Sequence, residues 1–212
     1  MSSPSNRQRL ISALILCLAA SGALFAQQNA RPNTKSDFLR RLVDAATERP
    51  QHAVRYVSGY VSIPYPGGDV PPDAGVCTDE IIRSYRAVGV DLQKEVHQDM
   101  LAHFALYPHR WGLPHPDANI DHRRVPNLAV FFRRMGEVLP LSSRAEEYAP
   151  GDLVTWDLGG GVPHIGIVVD RRSASGPRYL VMHNIGAGPK IEDVLFSWQI
   201  TGHFRYYGPQ LR

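Results

Sequence analysis

One cysteine, Cys77, lies in the stretch "DAGVCTDEIIRSYRAVGVDLQ" (residues 73–93), and a cysteine thiolate can act as a nucleophile or as a metal ligand. Cys77 opens a predicted helix, whose unpaired N–H groups and dipole favour the thiolate. Asp79 and Glu80 oppose that effect by like-charge repulsion. The other cysteine, Cys17, falls in a predicted export signal. An unpaired thiol in an exported chain forms an intermolecular bridge, is buried and inert, or is reactive.

Two histidines could supply the base that a nucleophilic thiol needs: His164 in "GVPHIGIVV" and His183 in "YLVMHNIGAG". Strand alternation puts His164 on the same face as Gly166, which leaves room for a substrate or for the Cys77 helix. His183 can orient the first imidazole if the two strands pair. Either histidine alone is better explained as a hydrogen-bonded core residue. The pair together with a lone cysteine favours catalysis.

The Pro- and His-rich segment 107–126 is longer than most loops of compact domains, which favours a functional role. Its end, "NIDHRR", could place Asp121, His122 and Arg123 in a cleft. There they could hold a substrate carboxylate or bond the catalytic histidines, since an arginine can grip a carboxylate through two hydrogen bonds. The alternative is a loop that its own Asp–Arg pairs hold in place.

A metal site is a second interpretation of the same residues. Zinc accepts thiolate and imidazole ligands, so Cys77, His122, His164 and His183 could supply them. No compact ligand spacing such as HExxH or CxxC occurs in the chain. Four further histidines recur every six residues, a step that turns their side chains to different sides of a helix, and we expect them on the surface: His97, His103, His109 and His115.

The elements that must position these residues follow from hydrophobic periodicity. A helix capped by Ser36, the Cys77 helix ending at Gly89 and a helix over 92–106 with Leu101 inward precede the loop. After Pro150 the chain changes to strand-like runs: "GDLVTWDL", "HIGIVVDRR", "RYLVMHNIG" and "ITGHFRYYG". The glycines at 159–161 predict a hairpin turn. Helices first and consecutive strands afterwards predict an α+β domain with an antiparallel sheet.

The N-terminus predicts export. Arg7 and Arg9 precede an apolar run and small residues, which predicts a signal peptide over 1–26, a flexible lead-in over 27–35 and one domain over 36–212. Removing the two arginines lowers the net charge from +3 to +1, so the basic composition does not indicate a nucleic-acid partner. No later apolar run is long enough to span a bilayer. We therefore expect a periplasmic or secreted monomer.

The ordered motifs "PYPGG", the Cys77 helix, "GDLVTW", "HIGIVV" and "VMHNIG" resemble the NlpC-type cell-wall cysteine peptidases. The resemblance implies a papain-like α+β fold, with the cysteine at a helix start packed on an antiparallel sheet that carries the histidines. It implies that Cys77 is the nucleophile, His164 the base and His183 the residue that orients it. The chain departs from that family in having "GVCTD" for "DCSG" and in its long loop.

Residues 36–208 more closely resemble a bacterial family known as domain of unknown function 1287. The shared motifs are "GVCTD", "VDLQ", "NIDHRRVPNL", "HIGIVV", "HNIG" and "GHFRYY". This resemblance is specific for the family but implies no substrate.

Together these observations predict a secreted cysteine amidohydrolase or endopeptidase that cleaves peptidoglycan stem peptides or crossbridges through a Cys–His–His thioester mechanism without a cofactor. Beside the three catalytic residues, we expect Tyr65 of "PYPGG", Asp79 and the "NIDHRR" residues to bind substrate. A zinc-dependent hydrolase and a non-catalytic wall-binding module are the alternatives.

Overall fold

The computed structural model describes residues 34–211, and within that range the helices precede a six-stranded antiparallel sheet. The predicted signal peptide and most of the predicted lead-in lie outside the described residues. From Lys35 onward the chain forms one compact unit. The predicted α+β class, with helices before an antiparallel sheet, is confirmed. No helix in this part of the chain is long and apolar enough to cross a membrane.

Four α-helices form one layer, and each turns an apolar stripe inward as its periodicity predicts. The third helix covers the predicted span 92–106, but the prediction that Leu101 faces inward was wrong. Its regular turns stop at His103 and a 3-10 turn follows, while Leu101 is 62% exposed. Leu101 is exposed because Leu92, Val96 and Met100 already define the inner face. The bounds are Lys35–Glu48 (α1), Cys77–Ala87 (α2), Leu92–His103 (α3) and Val125–Met135 (α4).

The sheet has the strand order β3-β8-β4-β5-β6-β7, and each predicted strand-like run forms one of its strands. The glycines at 159–161 make the β4–β5 hairpin turn, as predicted, and all three have positive φ angles. The edge strand β7 was not predicted. The bounds are Glu137–Val138 (β3), Leu153–Asp157 (β4), Pro163–Arg172 (β5), Tyr179–Asn184 (β6), Pro189–Glu192 (β7) and Gln199–Arg205 (β8).

The two faces of this sheet support two separate cores. Ile165, Ile167 and Val169 of β5 pack in the core that contains the helices and Cys77. Trp156 and Val168 belong to a second cluster on the opposite face. Because side chains alternate along a strand, His164 belongs to this second face.

A short parallel ribbon leads the chain into α2. Its strands are β1 (Arg55–Tyr56) and β2 (Ala74–Gly75), and Cys77 follows β2 after a single extended residue, Val76. Gly75 permits this approach, since a Cβ atom there would lie 3.0 Å from the Cβ of Asp79. The ribbon and the sheet together fix where α2 begins.

Gly166 provides a test of how closely β5 and β6 approach each other. A Cβ atom at this position would lie 2.5 Å from Cγ1 of Val181 and 2.9 Å from the carbonyl oxygen of Met182. We expect Gly166→Ala to lower the free energy of unfolding by about 1–3 kcal/mol because the sheet cannot accept the extra methyl group. Gly59→Ala, at an exposed site with nothing within 4 Å, should change it by less than about 0.5 kcal/mol.

Denaturant titration of both variants measures the difference. Equal stability of the two variants would contradict the close packing at Gly166.

Candidate functional site

Cys77 is the first residue of α2, and the residues around it hold the helix start in one geometry. Val76 adopts an extended conformation, and its backbone N–H donates to Oδ2 of Asp79 at 2.7 Å. This bond satisfies one backbone donor of the helix end. Glu80 also lies in this first turn, where it pairs with Arg49 at 2.7 Å. The thiol is therefore carried by a turn with little freedom to move.

The Cys77 thiol is only 4% exposed, and burial raises its pKa to about 12. The backbone of Ile165 lowers the pKa of the thiol, while Asp79 raises it. The N–H groups of Thr78 and Cys77 lower it further. The predicted opposition from Asp79 is confirmed. The predicted activation by the helix start is outweighed by burial, so the resting thiol is protonated at neutral pH.

A cavity of about 420 Å³ opens at Cys77. Aromatic and apolar side chains make up much of its wall, and among residues 34–211 the only charged residues that line it are two arginines. The lining residues are Tyr56, Ser58, Tyr60, Val76, Cys77, Trp111, Ile120, Arg123, Arg124, Val125, Pro126 and Pro163. A larger open groove of about 1140 Å³ lies along β7 and is lined by Glu192 but not by Cys77.

The two predicted histidines meet across the β5–β6 pair. Nε2 of His164 lies 2.9 Å from Nδ1 of His183, and Nε2 of His183 lies 3.1 Å from Oε2 of Glu192. The predicted pairing of their strands is confirmed. The space beside Gly166 was assigned wrongly to a substrate or to the Cys77 helix. It is occupied by β6, because the Cβ of His183 lies 3.3 Å from the point where a methyl group on Gly166 would stand.

The hydrogen bonds among His164, His183 and Glu192 determine which histidine nitrogen is basic. The Glu192 carboxylate can only accept a hydrogen bond, so Nε2 of His183 carries the proton that it donates. Nδ1 of His183 then accepts from Nε2–H of His164, and Nδ1 of His164 is left with its lone pair. Burial, and then His183, lower the pKa of His164 to about 3. Both groups of the predicted proton transfer are therefore neutral at rest.

The structure brings Cys77 to the backbone of the His164 segment. Cys77 lines the same cavity as Pro163, which precedes His164, and the backbone of Ile165, which follows His164, lowers the pKa of the thiol. The His164 ring itself packs on the opposite face of the sheet, with centroid distances of 5.9 Å to Trp156 and 6.0 Å to Trp198. His164 and His183 are therefore in direct contact with each other. The predicted approach of their rings to the sulfur of Cys77 is not seen, because Cys77 packs in the core on the opposite face of the sheet.

Arg123 and Asp79 form an ion pair that ties the "NIDHRR" loop to α2. Nε and Nη2 of Arg123 lie 2.8 and 3.0 Å from the two carboxylate oxygens of Asp79. Nη1 of Arg123 donates to the carbonyl of Gly59, and Thr78 donates to the carbonyl of Arg123. These bonds do not support the predicted roles of Arg123 and Asp79 in substrate binding, because each is committed to the other. They favour the alternative of a loop held by its own ion pairs.

The other predicted substrate-binding residues lie outside the Cys77 cavity wall. Asp121 is buried, pairs with Arg124 at 3.1 Å and accepts a hydrogen bond from the backbone N–H of Asp117. His122 is buried, and burial followed by Arg123 lowers its pKa to about 3. Tyr65 is exposed and packs edge-on to His97, with ring centroids 4.9 Å apart. These contacts connect neither Asp121 nor His122 to the histidine pair.

Sequence reasoning did not predict several residues of the site. Glu192 lies on the unpredicted strand β7, although its spacing from Lys190, the partner of His183, follows strand alternation. The aromatic residues Tyr56, Tyr60 and Trp111 come from irregular segments, where no periodicity signals a shared wall. Arg124 is adjacent to Arg123, and only the structure distinguishes their roles.

The alternative zinc site is not assembled in the residues that the structure describes. Across 34–211, no three or more His, Cys, Asp or Glu side chains form a group that could hold a metal ion. His103, His109 and His115 are exposed as predicted, whereas His97 is half-buried beside Tyr65.

Residues 43–206 match the model of a family described as "Domain of unknown function (DUF1287)". The chain is also similar to a protein of Escherichia coli (strain K12) described as "Uncharacterized protein YijF". The two are 49% identical over 166 residues, which is 78% of this chain and 80% of that protein. The aligned family region contains Cys77, His164, His183 and Glu192.

The raised pKa of Cys77 can be measured by alkylation. At pH 7, a thiol with a pKa of about 12 is ionised in about one molecule in 10⁵. We expect iodoacetamide to label Cys77 in the folded chain at least about 100-fold more slowly than in the urea-unfolded chain. The folded rate should rise about tenfold per pH unit towards pH 10.

Peptide mapping by mass spectrometry follows the labelling of Cys77, and the urea-unfolded chain serves as the reference. Rapid labelling of folded Cys77 at pH 7, with a plateau below pH 9, would contradict the protonated resting thiol.

Proposed function

The chain belongs to the family of the domain of unknown function DUF1287, and on that premise we propose that it is a cysteine amidohydrolase that cleaves an amide bond in peptidoglycan stem peptides or crossbridges. One observation carries the proposal. Cys77 lines a cavity together with Pro163, which directly precedes the first residue of the buried His164–His183–Glu192 hydrogen-bond chain. A thiol, an imidazole and a residue that orients the imidazole are the components of nucleophilic acyl transfer.

In the proposed reaction, Nδ1 of His164 accepts the thiol proton as the sulfur of Cys77 attacks the substrate carbonyl carbon. The resting pair is neutral, so proton transfer accompanies the attack and does not precede it. The reaction requires the His164 ring to turn towards a sulfur that lies beside its own backbone. Until the ring turns, His183 and Glu192 hold it in the tautomer that leaves Nδ1 of His164 unprotonated, through the hydrogen bonds His164–His183 and His183–Glu192.

The tetrahedral intermediate collapses as its C–N bond breaks, and His164 returns the proton to the leaving amine. Water, with His164 as base, then hydrolyses the thioester and restores the thiol. The backbone N–H groups of Cys77 and Thr78 lie at the start of α2 and lower the pKa of the thiol. In the proposed mechanism they stabilise the oxyanion.

The substrate class follows from the cavity wall and from the resemblance to cell-wall cysteine peptidases. The cavity at Cys77 has room for a few residues of an extended peptide. Its tyrosines and Trp111 can cover the apolar parts of such a chain, while the arginines attract its carboxylates. Export, predicted from residues 1–26, would bring the protein to the cell wall. A papain-like NlpC-type fold belongs to the same proposal.

The first test is loss of the nucleophile. We expect Cys77→Ala to reduce the release of soluble fragments from purified peptidoglycan by a factor of about 10³ or more, because no other group can form the thioester. The thermal unfolding midpoint should remain within a few degrees of the parent value. Mass spectrometry of the fragments identifies the cleaved bond.

Full activity of Cys77→Ala would contradict the proposal. Activity of the parent that EDTA abolishes and zinc restores would favour the alternative metal enzyme.

The second test addresses Glu192, which acts through His183. We expect Glu192→Gln to lower kcat by about 10- to 100-fold, because His183 loses the charge that holds its tautomer. Glu192 raises the pKa of His183, so its removal should move the acidic limb of the kcat profile to lower pH.

Asp193→Asn is the matched control, since the neighbouring carboxylate pairs with Arg178 and Ser173 and not with His183. An unchanged pH profile in Glu192→Gln, or the same shift in Asp193→Asn, would contradict the role of Glu192.

A further inference from the structure

The cavity at Cys77 has two arginines in its wall and no carboxylate. Arg123 is not free to bind a ligand, because Asp79 and backbone carbonyls occupy its guanidinium. Arg124 differs from it. Only Nη1 of Arg124 has a protein acceptor among residues 34–211, Oδ1 of Asp121 at 3.1 Å.

The Arg124 guanidinium is held in a fixed plane. Its central carbon lies 4.0 Å from the centroid of the Trp111 ring, a cation–π contact, and its side chain is only 16% exposed. Burial lowers the pKa of Arg124, while Asp121 raises it, so the cation is only partly compensated. A half-buried guanidinium with free donors, set in the wall of a cavity, is arranged to receive an anion.

The charge balance favours a carboxylate as that anion. Asp79 neutralises Arg123, and Asp121 partly neutralises Arg124, which leaves the cavity with less than one uncompensated positive charge. A phosphate dianion would meet too little positive charge, whereas one carboxylate matches the two parallel N–H groups of one guanidinium edge. The wall also contains Tyr56 and Tyr60, which can contact the adjoining peptide.

We propose that Arg124, held over Trp111, is a carboxylate-recognition subsite, and that the ligand of the Cys77 cavity is a peptide with a free carboxylate close to the amide bond that meets the thiol. Cleavage of that amide rests on the proposed function, but recognition of the carboxylate does not. Peptidoglycan stem peptides carry such carboxylates.

Peptide binding to a variant that cannot cleave the peptide tests this subsite. The probes are a synthetic stem tetrapeptide and the same peptide with every carboxylate converted to a methylamide. Isothermal titration of the full-length Cys77→Ala chain should show a Kd for the acid at least about 10-fold lower than for the amide. Adding Arg124→Gln should reduce this preference to less than about threefold.

Arg110→Gln is the matched control. Arg110 also lies near Trp111, at 5.8 Å from the ring, but it is outside the cavity wall. The control variant should keep the full preference for the acid. Arg124→Lys keeps the charge facing Asp121, so it should preserve the loop while it loses the paired donors and most of the preference.

Three results would overturn the inference: no preference for the acid in the Cys77→Ala chain, an unchanged preference in Arg124→Gln or Arg124→Lys, or an equal loss in Arg110→Gln. A different result would contradict the proposed function and leave the subsite intact. A parent chain that binds the acid through Arg124 but cleaves no peptidoglycan would refute the hydrolase and retain the subsite.

Discussion

The buried pair of Asp79 and Arg123 is the interaction on which the site depends. The Asp79 carboxylate binds the backbone at the start of α2 and the guanidinium of a residue 44 positions later in the chain. Breaking such a buried pair costs about 3–5 kcal/mol, because the remaining charge stays without a partner. The pair therefore fixes the position of Cys77 and the position of the loop that forms the cavity wall.

The protonation of the site follows from burial. A thiol and an imidazole that are both neutral have little attraction for each other, and they avoid the desolvation cost of a buried ion pair.

Burial of the histidines destabilises the fold in acid: the unfolded chain takes up protons on His122 and His164 below about pH 6.5, while the folded chain takes them up only near pH 3. Stability from these groups is therefore lost as the pH falls through that interval.

Local patterns predicted the parts of the site that regular elements carry. Strand periodicity predicted that His164 and His183 would be neighbours, and the helix signal predicted the position of Cys77. The sequence could not show that β6 fills the space beside Gly166, because that depends on how closely two strands approach. Neither could it distinguish Arg123 from Arg124, whose partners come from distant segments, nor place Glu192, whose strand has only four residues.

Glu192 connects the hydrogen-bonded histidine pair to solvent at the edge of the sheet. Its carboxylate is 41% exposed and lines the large groove along β7, whereas Cys77 lines the other cavity. Three groups joined by hydrogen bonds thus lead from the interior to bulk water at the sheet edge. Protons can reach or leave the imidazoles by this route through an opening separate from the cavity beside the sulfur, so the interior can exchange hydrogen ions with the solvent on the side away from Cys77.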